Sequence, residues 1–174
     1  MIGPAGAGKS RLAGELGLRL GLRVVHLDEL YWRPGWIATP AADWEALQRR
    51  IMRDPSWVVD AQHDDILPDW LEVADTVVLL DVSPFRCLWR AARRRRTDEP
   101  SPGVPRGSAP APAHRALVKF ARGQWNYRRR LRSDLLAKLE TRRNGSRAVV
   151  LRRNADVRRF LGGVDSPVPA RGSS

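Results

Sequence analysis

Cysteine is almost absent: Cys87 is the only one in 174 residues. No internal disulfide can form, which fits a reducing compartment. Cys87 lies in an apolar helical pattern and reads as a core residue. No apolar run approaches the roughly 18 residues of a membrane span, and no signal peptide is read. The expectation is a cytoplasmic protein with no membrane partner. The three histidines, His26, His63 and His114, lack metal-ligand spacing. Lysine is scarce too, with only Lys9, Lys119 and Lys138 among 31 basic residues. No internal repeat is visible.

Arginine is abundant, and its distribution is uneven. Residues 1–81 hold 8 Lys/Arg against 13 Asp/Glu, a net of −5, whereas residues 82–174 hold 23 against 6, a net of +17. Such asymmetry points the second half at an anion, either nucleotide phosphates or nucleic acid. The alternative is a compositional arginine bias that leaves a solvated face. With 43% hydrophobic residues, the length suits one α/β domain with its own core.

The chain is organised around its start. Gly3-Pro4-Ala5-Gly6-Ala7-Gly8-Lys9-Ser10 fits G-x-x-x-x-G-K-[ST] at every fixed position, the Walker A or P-loop pattern. Glycines let the backbone curl so that successive N–H groups face an anion. The helix that follows adds its unpaired N–H groups and the positive end of its dipole. In such a loop the lysine reaches the β- and γ-phosphates and the hydroxyl ligates Mg²⁺. Gly3, Ala5, Gly6, Ala7, Gly8, Lys9, Ser10 and Arg11 are therefore the candidate ATP site, and Ser10 the first candidate metal ligand.

Residues 10–20 read as a helix, with Leu12, Leu16 and Leu20 on one stripe and Gly21 as C-cap. Residues 23–28 (RVVHLD) read as a strand ending in Asp28. That carboxylate could support Mg²⁺ through water, orient an acceptor hydroxyl or cap a turn. Residues 30–36 (LYWRPGW) crowd Tyr31, Trp32 and Trp36 with Arg33 around a Pro-Gly turn. They suit a ring-bearing anionic ligand or form a small hydrophobic cluster. Thr39 as N-cap and Pro40 at the first helical position open a helix with Trp44, Leu47 and Ile51 inward. Residues 57–60 (WVVD) read as a buried strand closing on Asp60, the Walker B arrangement, in which the acid supports the metal. His63 follows as a candidate substrate contact and general base. A short helix is expected over 67–73. Residues 76–81 (TVVLLD) read as a strand buried on both faces. Ser83-Pro84 caps a helix that runs through Phe85, Leu88 and Ala92 and finishes with Arg93–Arg96. Residues 97–112, with five prolines, read as a mobile lid bounded by arginines, among them Arg90 and Arg94, or as an insert with solvated arginines. A helical region is expected over 113–139, a strand over 147–151, and a helix from an Asn154 cap to Leu161. The tail from 162 to 174 reads as disordered. The alternation predicts one domain over residues 1–161: a three-layer α/β fold around a parallel sheet.

The P-loop, HLDELYWRPGW, WVVD, DTVVLLD, the CLWR…RRR helix, the WNY segment and VVLRRNADVRRFL resemble the adenylate kinase-like P-loop proteins. Within them the chain is most similar to the small group known as DNA topology modulation proteins. The resemblance runs from Met1 to about Leu161, lid excepted. It implies a P-loop kinase fold with a parallel five-stranded sheet of order 2-3-1-4-5, ATP with Mg²⁺ on the P-loop, and an acceptor site in the region of about 29–56. Carried over, Gly3, Gly6, Gly8, Lys9 and Ser10 hold ATP, Asp60 is the Walker B-type acid, and Arg90 and Arg94 are lid-helix arginines. The turn that reads Asp-Gly-Asn-Tyr in that group is Asp60-Ala61-Gln62-His63 here.

Together these readings give an ATP-dependent phosphotransferase acting on a small molecule, with a nucleotide among the candidates. Lys9, Asp28, Arg90 and Arg94 are the candidate catalytic residues; Ser10 and Asp60 hold the metal; Asp28, Tyr31, Trp32, Arg33, Trp36 and His63 face the acceptor. The rival readings are a nucleotide-switched nucleic-acid-binding or regulatory protein and an ATP-binding pseudoenzyme. In the 2-3-1-4-5 order the strand before the P-loop is central, yet only Met1 and Ile2 precede Gly3. Losing about four apolar side chains there removes roughly 6–12 kcal/mol of burial. The expectation is a first strand largely missing and a true start a few codons upstream.

Overall fold

The computed structural model describes residues 1–35, 37–61, 69–96 and 147–164, with Gly123, Tyr127, Arg132, Ser133, Leu136 and Ala137; residues 94–96 are described as backbone alone. The lid at 97–112, most of the helical region at 113–139 and the tail beyond residue 164 lie outside them.

Helix α1 (Lys9–Leu20) follows the glycine loop and ends at Gly21, whose left-handed backbone (φ 64°) lets its N–H reach the Gly17 carbonyl. Leu12, Ala13 and Leu16 are buried on its inner side. Gly17 is required by packing: a Cβ there would sit 2.2 Å from a methyl of Val24. Strand β1 (Val24–His26) is shorter than expected. Leu27 already begins helix α2 (Leu27–Tyr31), so Asp28 sits in a first helical turn rather than at a strand end. A tight antiparallel hairpin then joins β2 (Trp32–Arg33) to β3 (Ile37–Ala38). Helix α3 (Ala41–Met52) follows Pro40, which occupies the cap position without a side-chain bond. Thr39, expected as the cap, instead donates its hydroxyl back to the Tyr31 carbonyl at 2.8 Å. Trp44 and Ile51 are buried as their spacing demands, and so is Gln48, at 1% exposure.

Strand β4 (Val58–Asp60) is buried throughout and pairs in parallel with β1, His26 lying opposite Asp60. The short helix α4 (Asp69–Val73) buries Trp70, whose indole N–H donates to Gln48 Oε1 at 2.7 Å. Strand β5 (Thr76–Leu80) pairs in parallel with β6 (Arg147–Leu151) over five residues. Its alternate side chains serve two cores. Val78 and Leu80 join α1, Cys87 and Leu151, while Val77 and Leu79 join Ile2, Ala74 and Tyr127. That two-sided burial is why the run is continuously apolar. A third core gathers Val25, Leu27, Trp44, Ile51, Val59 and Trp70.

The two parallel pairs meet through the first two residues. The Met1 nitrogen donates to the Val59 carbonyl, and the Met1 carbonyl accepts from Ala61 N–H at 3.1 Å. Ile2 N–H donates to Val78 and its carbonyl accepts from Leu80. Ile2, 3% exposed, forms a single parallel bridge opposite Leu79. The fold is thus mixed α/β with parallel strands.

In helix α5 (Pro84–Arg96) the inward face is set by Cys87, the residue expected in the core. Cys87 is fully buried, whereas Phe85 is 81% exposed and Trp89 62%; Leu88 and Ala92 also face outward. Helix α6 (Asn154–Gly162) is capped by Asp156, which accepts the N–H groups of Arg152 and Arg153 at 3.0 and 2.8 Å. Asn154, expected as that cap, bonds elsewhere. No helix among the described residues is long and apolar enough to cross a membrane.

Candidate functional site

The glycine loop runs from the Ile2 bridge into α1. Gly3 has φ 146°, and a Cβ on it would lie 2.6 Å from the Leu80 carbonyl oxygen. No other residue fits between the loop and β5. Gly8, at φ 100° and ψ 22°, stands at the N-cap and turns the chain into the helix. Ala7 N–H bonds Pro4 O at 3.2 Å, closing the loop on itself. Ala7 is packed in the core at 2% exposure, and Ala5 and Gly6 are half-buried. Lys9 is 7% exposed, and its Nζ donates to Pro4 O at 3.3 Å, so the side chain folds back over the loop. Ser10 is half-buried beside it and Arg11 is exposed.

Asp60 closes β4 opposite these residues and is 6% exposed. Burial alone would raise its pKa. Hydrogen bonding from His26 and Ser10, with the charges of Lys9 and His26, outweighs burial and holds the acid below its ordinary value. His26 Nδ1 lies 3.0 Å from Asp60 Oδ2. That bond is the main reason the His26 pKa is raised, against burial; the charges of Asp60, Glu29 and Asp28 add to it. Asp60 Oδ1 is buried with no hydrogen-bond partner. A buried carboxylate oxygen left this way, next to a hydroxyl and an ammonium, fits a hydrated divalent cation as its missing partner. Among the described residues, no group of three or more His, Cys, Asp or Glu side chains gathers as a metal site.

Arg90 reaches the loop from α5. Its Nη1 donates to the Ala7 carbonyl at 2.7 Å and its Nη2 to Asn154 Oδ1 at 2.9 Å. One planar guanidinium thereby ties the loop, α5 and α6 together. Asp81, just past β5, accepts from Arg132 Nε on both oxygens, at 3.0 and 3.1 Å, and from its Nη2 at 2.8 Å, with a longer bond from Arg152 at 3.4 Å. Burial would raise the Asp81 pKa, but these arginines lower it overall. The Tyr127 hydroxyl is buried nearby without a hydrogen-bond partner, and burial first, then the charge of Asp81, pushes its pKa up.

On the acceptor side, Asp28 is half-buried in the first turn of α2. Tyr31 packs edge-on against Trp32 and Trp44, with ring centroids 4.9 and 5.2 Å away. Arg33 is exposed and paired with Asp43 at 3.1 Å. The structure therefore brings Lys9, Ser10, Asp60 and Arg90 to the loop, and Asp28 close enough for its charge to act on His26. Tyr31 serves packing, while Trp32 is half-buried at the hairpin. Trp36, His63 and the Arg94 side chain lie outside the described residues.

Three participants escaped the sequence reading: His26, Asp81 with its arginines, and Asn154 as the Arg90 acceptor. For His26 a signal existed. RVVH and WVVD are both short apolar strands closing on a polar residue, and parallel pairing in register sets those residues side by side.

No protein-family model matches the chain, and no curated protein matches it either. Among solved structures, the chain is similar to an unliganded sugar kinase from Janibacter sp. HTCC2649. The likeness covers 94% of this chain and 87% of that one, at 16% identity and a TM-score of 0.48.

Proposed function

We propose that the chain is an adenylate kinase-like P-loop phosphotransferase that uses Mg²⁺·ATP and passes the γ-phosphoryl group to a small-molecule acceptor, a nucleotide being one candidate class. The observation that carries this reading is the juxtaposition of Lys9 and Ser10, at the start of α1, with the buried Asp60 at the end of β4. A P-loop, its lysine and a strand-end acid are the parts that P-loop phosphoryl transfer uses. The reading takes the sheet as a three-layer five-strand arrangement of order 2-3-1-4-5 with residues 1–2 as strand 1. The hydrogen bonds of Met1 to Val59 and Ala61, and of Ile2 to Val78 and Leu80, support it.

Each residue has a definite task. Lys9 exchanges its 3.3 Å bond to Pro4 O for a phosphate oxygen, a stronger, charge-assisted acceptor. Arg90 keeps the loop in shape through Ala7 O instead of swinging onto the phosphates, while Arg94 adds positive charge from the end of α5. Asp28 orients the acceptor hydroxyl or takes its proton. Ser10, with Asp60 behind it, would hold Mg²⁺, which would supply neutralising positive charge to the phosphates. Trp32 and Arg33 border the acceptor.

The test is Lys9→Ala. Steady-state ATP-to-ADP conversion, screened against candidate acceptors, should vanish while circular dichroism shows an unchanged fold. ATP turnover that survives the substitution overturns the assignment. Binding of ATP without turnover on any acceptor favours the pseudoenzyme.

A further inference from the structure

Asp60 has two carboxylate oxygens in different situations. Oδ2 accepts from His26 Nδ1 at 3.0 Å; Oδ1 is buried with no hydrogen-bond partner. The bond joins neighbours across a parallel ladder, since His26 and Asp60 are register partners of β1 and β4. Backbone pairing therefore fixes the distance between the two side chains. The Asp60 side chain is 7% exposed and that of His26 29%. Rotation about the last bond of an aspartate interchanges its oxygens at little energy unless a donor holds one of them. His26 is that donor.

We infer that His26 is the positioning residue of the metal-facing acid: by holding Oδ2 of Asp60, it reserves Oδ1 for the hydration shell of a divalent cation beside Ser10. The inference rests on the phosphotransferase reading and deepens it. His26 is no cation ligand itself, because Nδ1 is engaged by the carboxylate. It acts through Asp60, as outer-shell partners of metal-binding carboxylates do. A histidine that merely satisfied a buried acid would matter equally with and without the cation. A positioning histidine matters when the cation is present.

Calorimetric titration of the full chain with the non-hydrolysable analogue AMP-PNP, once in Mg²⁺ and once in EDTA, separates the two. The wild-type chain should bind more tightly in Mg²⁺. His26→Ala should weaken the Mg²⁺ titration about tenfold to a hundredfold and leave the EDTA titration unchanged. His26→Asn, whose amide N–H takes the place of Nδ1–H, should recover most of the loss. Thermal melts establish that each variant is folded, and His26→Asn carries the test if the alanine variant is not. Equal losses in both buffers, no loss in either, no recovery by asparagine, or unfolding of both variants overturns the inference. Wild-type binding that ignores Mg²⁺ overturns it while sparing the phosphate-loop reading. A wild-type chain that binds no AMP-PNP under either condition overturns both.

Discussion

Arg90 shows how much a single side chain can decide. Its fork reaches the Ala7 carbonyl and Asn154 together, a task for which lysine, a point charge, is a poor substitute. Gly3 is as unforgiving. At φ 146° and with Leu80 O in the place of a Cβ, Gly3→Ala should cost ~1–3 kcal/mol from backbone strain, with the clash in addition. A lowered denaturant midpoint would register it. Gln48→Ala strands the buried indole N–H of Trp70 and should cost about 1–3 kcal/mol, read from the same titration. The glycine spacing made the first of these positions legible. Nothing in the sequence marks Gln48, which stands on a helix face among apolar residues and is polar because its partner, Trp70, arrives from a different element.

At the scale of elements, period was readable and phase was not always so. In α3 the apolar residues set the phase, and Trp44 and Ile51 are inside. In α5 the spacing of Phe85, Leu88 and Ala92 is equally helical, but Cys87 and Arg90 turn inward, with Arg90 bonded to the loop. A charged side chain with two acceptors outcompetes an aromatic for the inner face, and those acceptors lie 83 and 64 residues away. Asp81 makes the same point at the end of β5. Its carboxyl sits below the ordinary value of 3.8 because Arg132 and Arg152 outweigh the effect of burial. The stability it contributes is present above that value and lost as pH falls through the lower, folded pKa. Acid titration of the circular dichroism signal should show this limb in the wild type and a shallower one in Asp81→Asn, whose stability at neutral pH should drop by about 1–2 kcal/mol. An unchanged limb in the variant would remove Asp81 as its source.

For the molecule as a whole, the charge division between residues 1–81 and 82–174 bears on partners. The phosphotransferase reading expects the arginines of the second half to serve nucleotide phosphates and local contacts, as Arg132 and Arg152 do with Asp81 and Arg90 does with Ala7 O and Asn154. Filter binding of duplex DNA at two salt concentrations should then show no retention near physiological salt. Retention that falls steeply with salt would favour a nucleic-acid-binding function. The mixed α/β character and the parallel strands were legible from apolar runs closing on acids. The bridging role of Met1 and Ile2 was not, because two residues have no periodicity to read.

That bridge also makes the joint between β4 and β5 a place where the molecule can breathe. Four backbone hydrogen bonds cross it, and the glycine loop begins at the next residue. Opening of the joint and slackening of the loop are therefore one event. In deuterium exchange, the amides of Ile2, Ala61 and Leu80, which are bonded across this joint, should trade protons together and faster than the amides that bond β5 to β6. An anion seated in the loop should slow all three at once, so that occupancy of the site is written into solvent protection deep in the sheet.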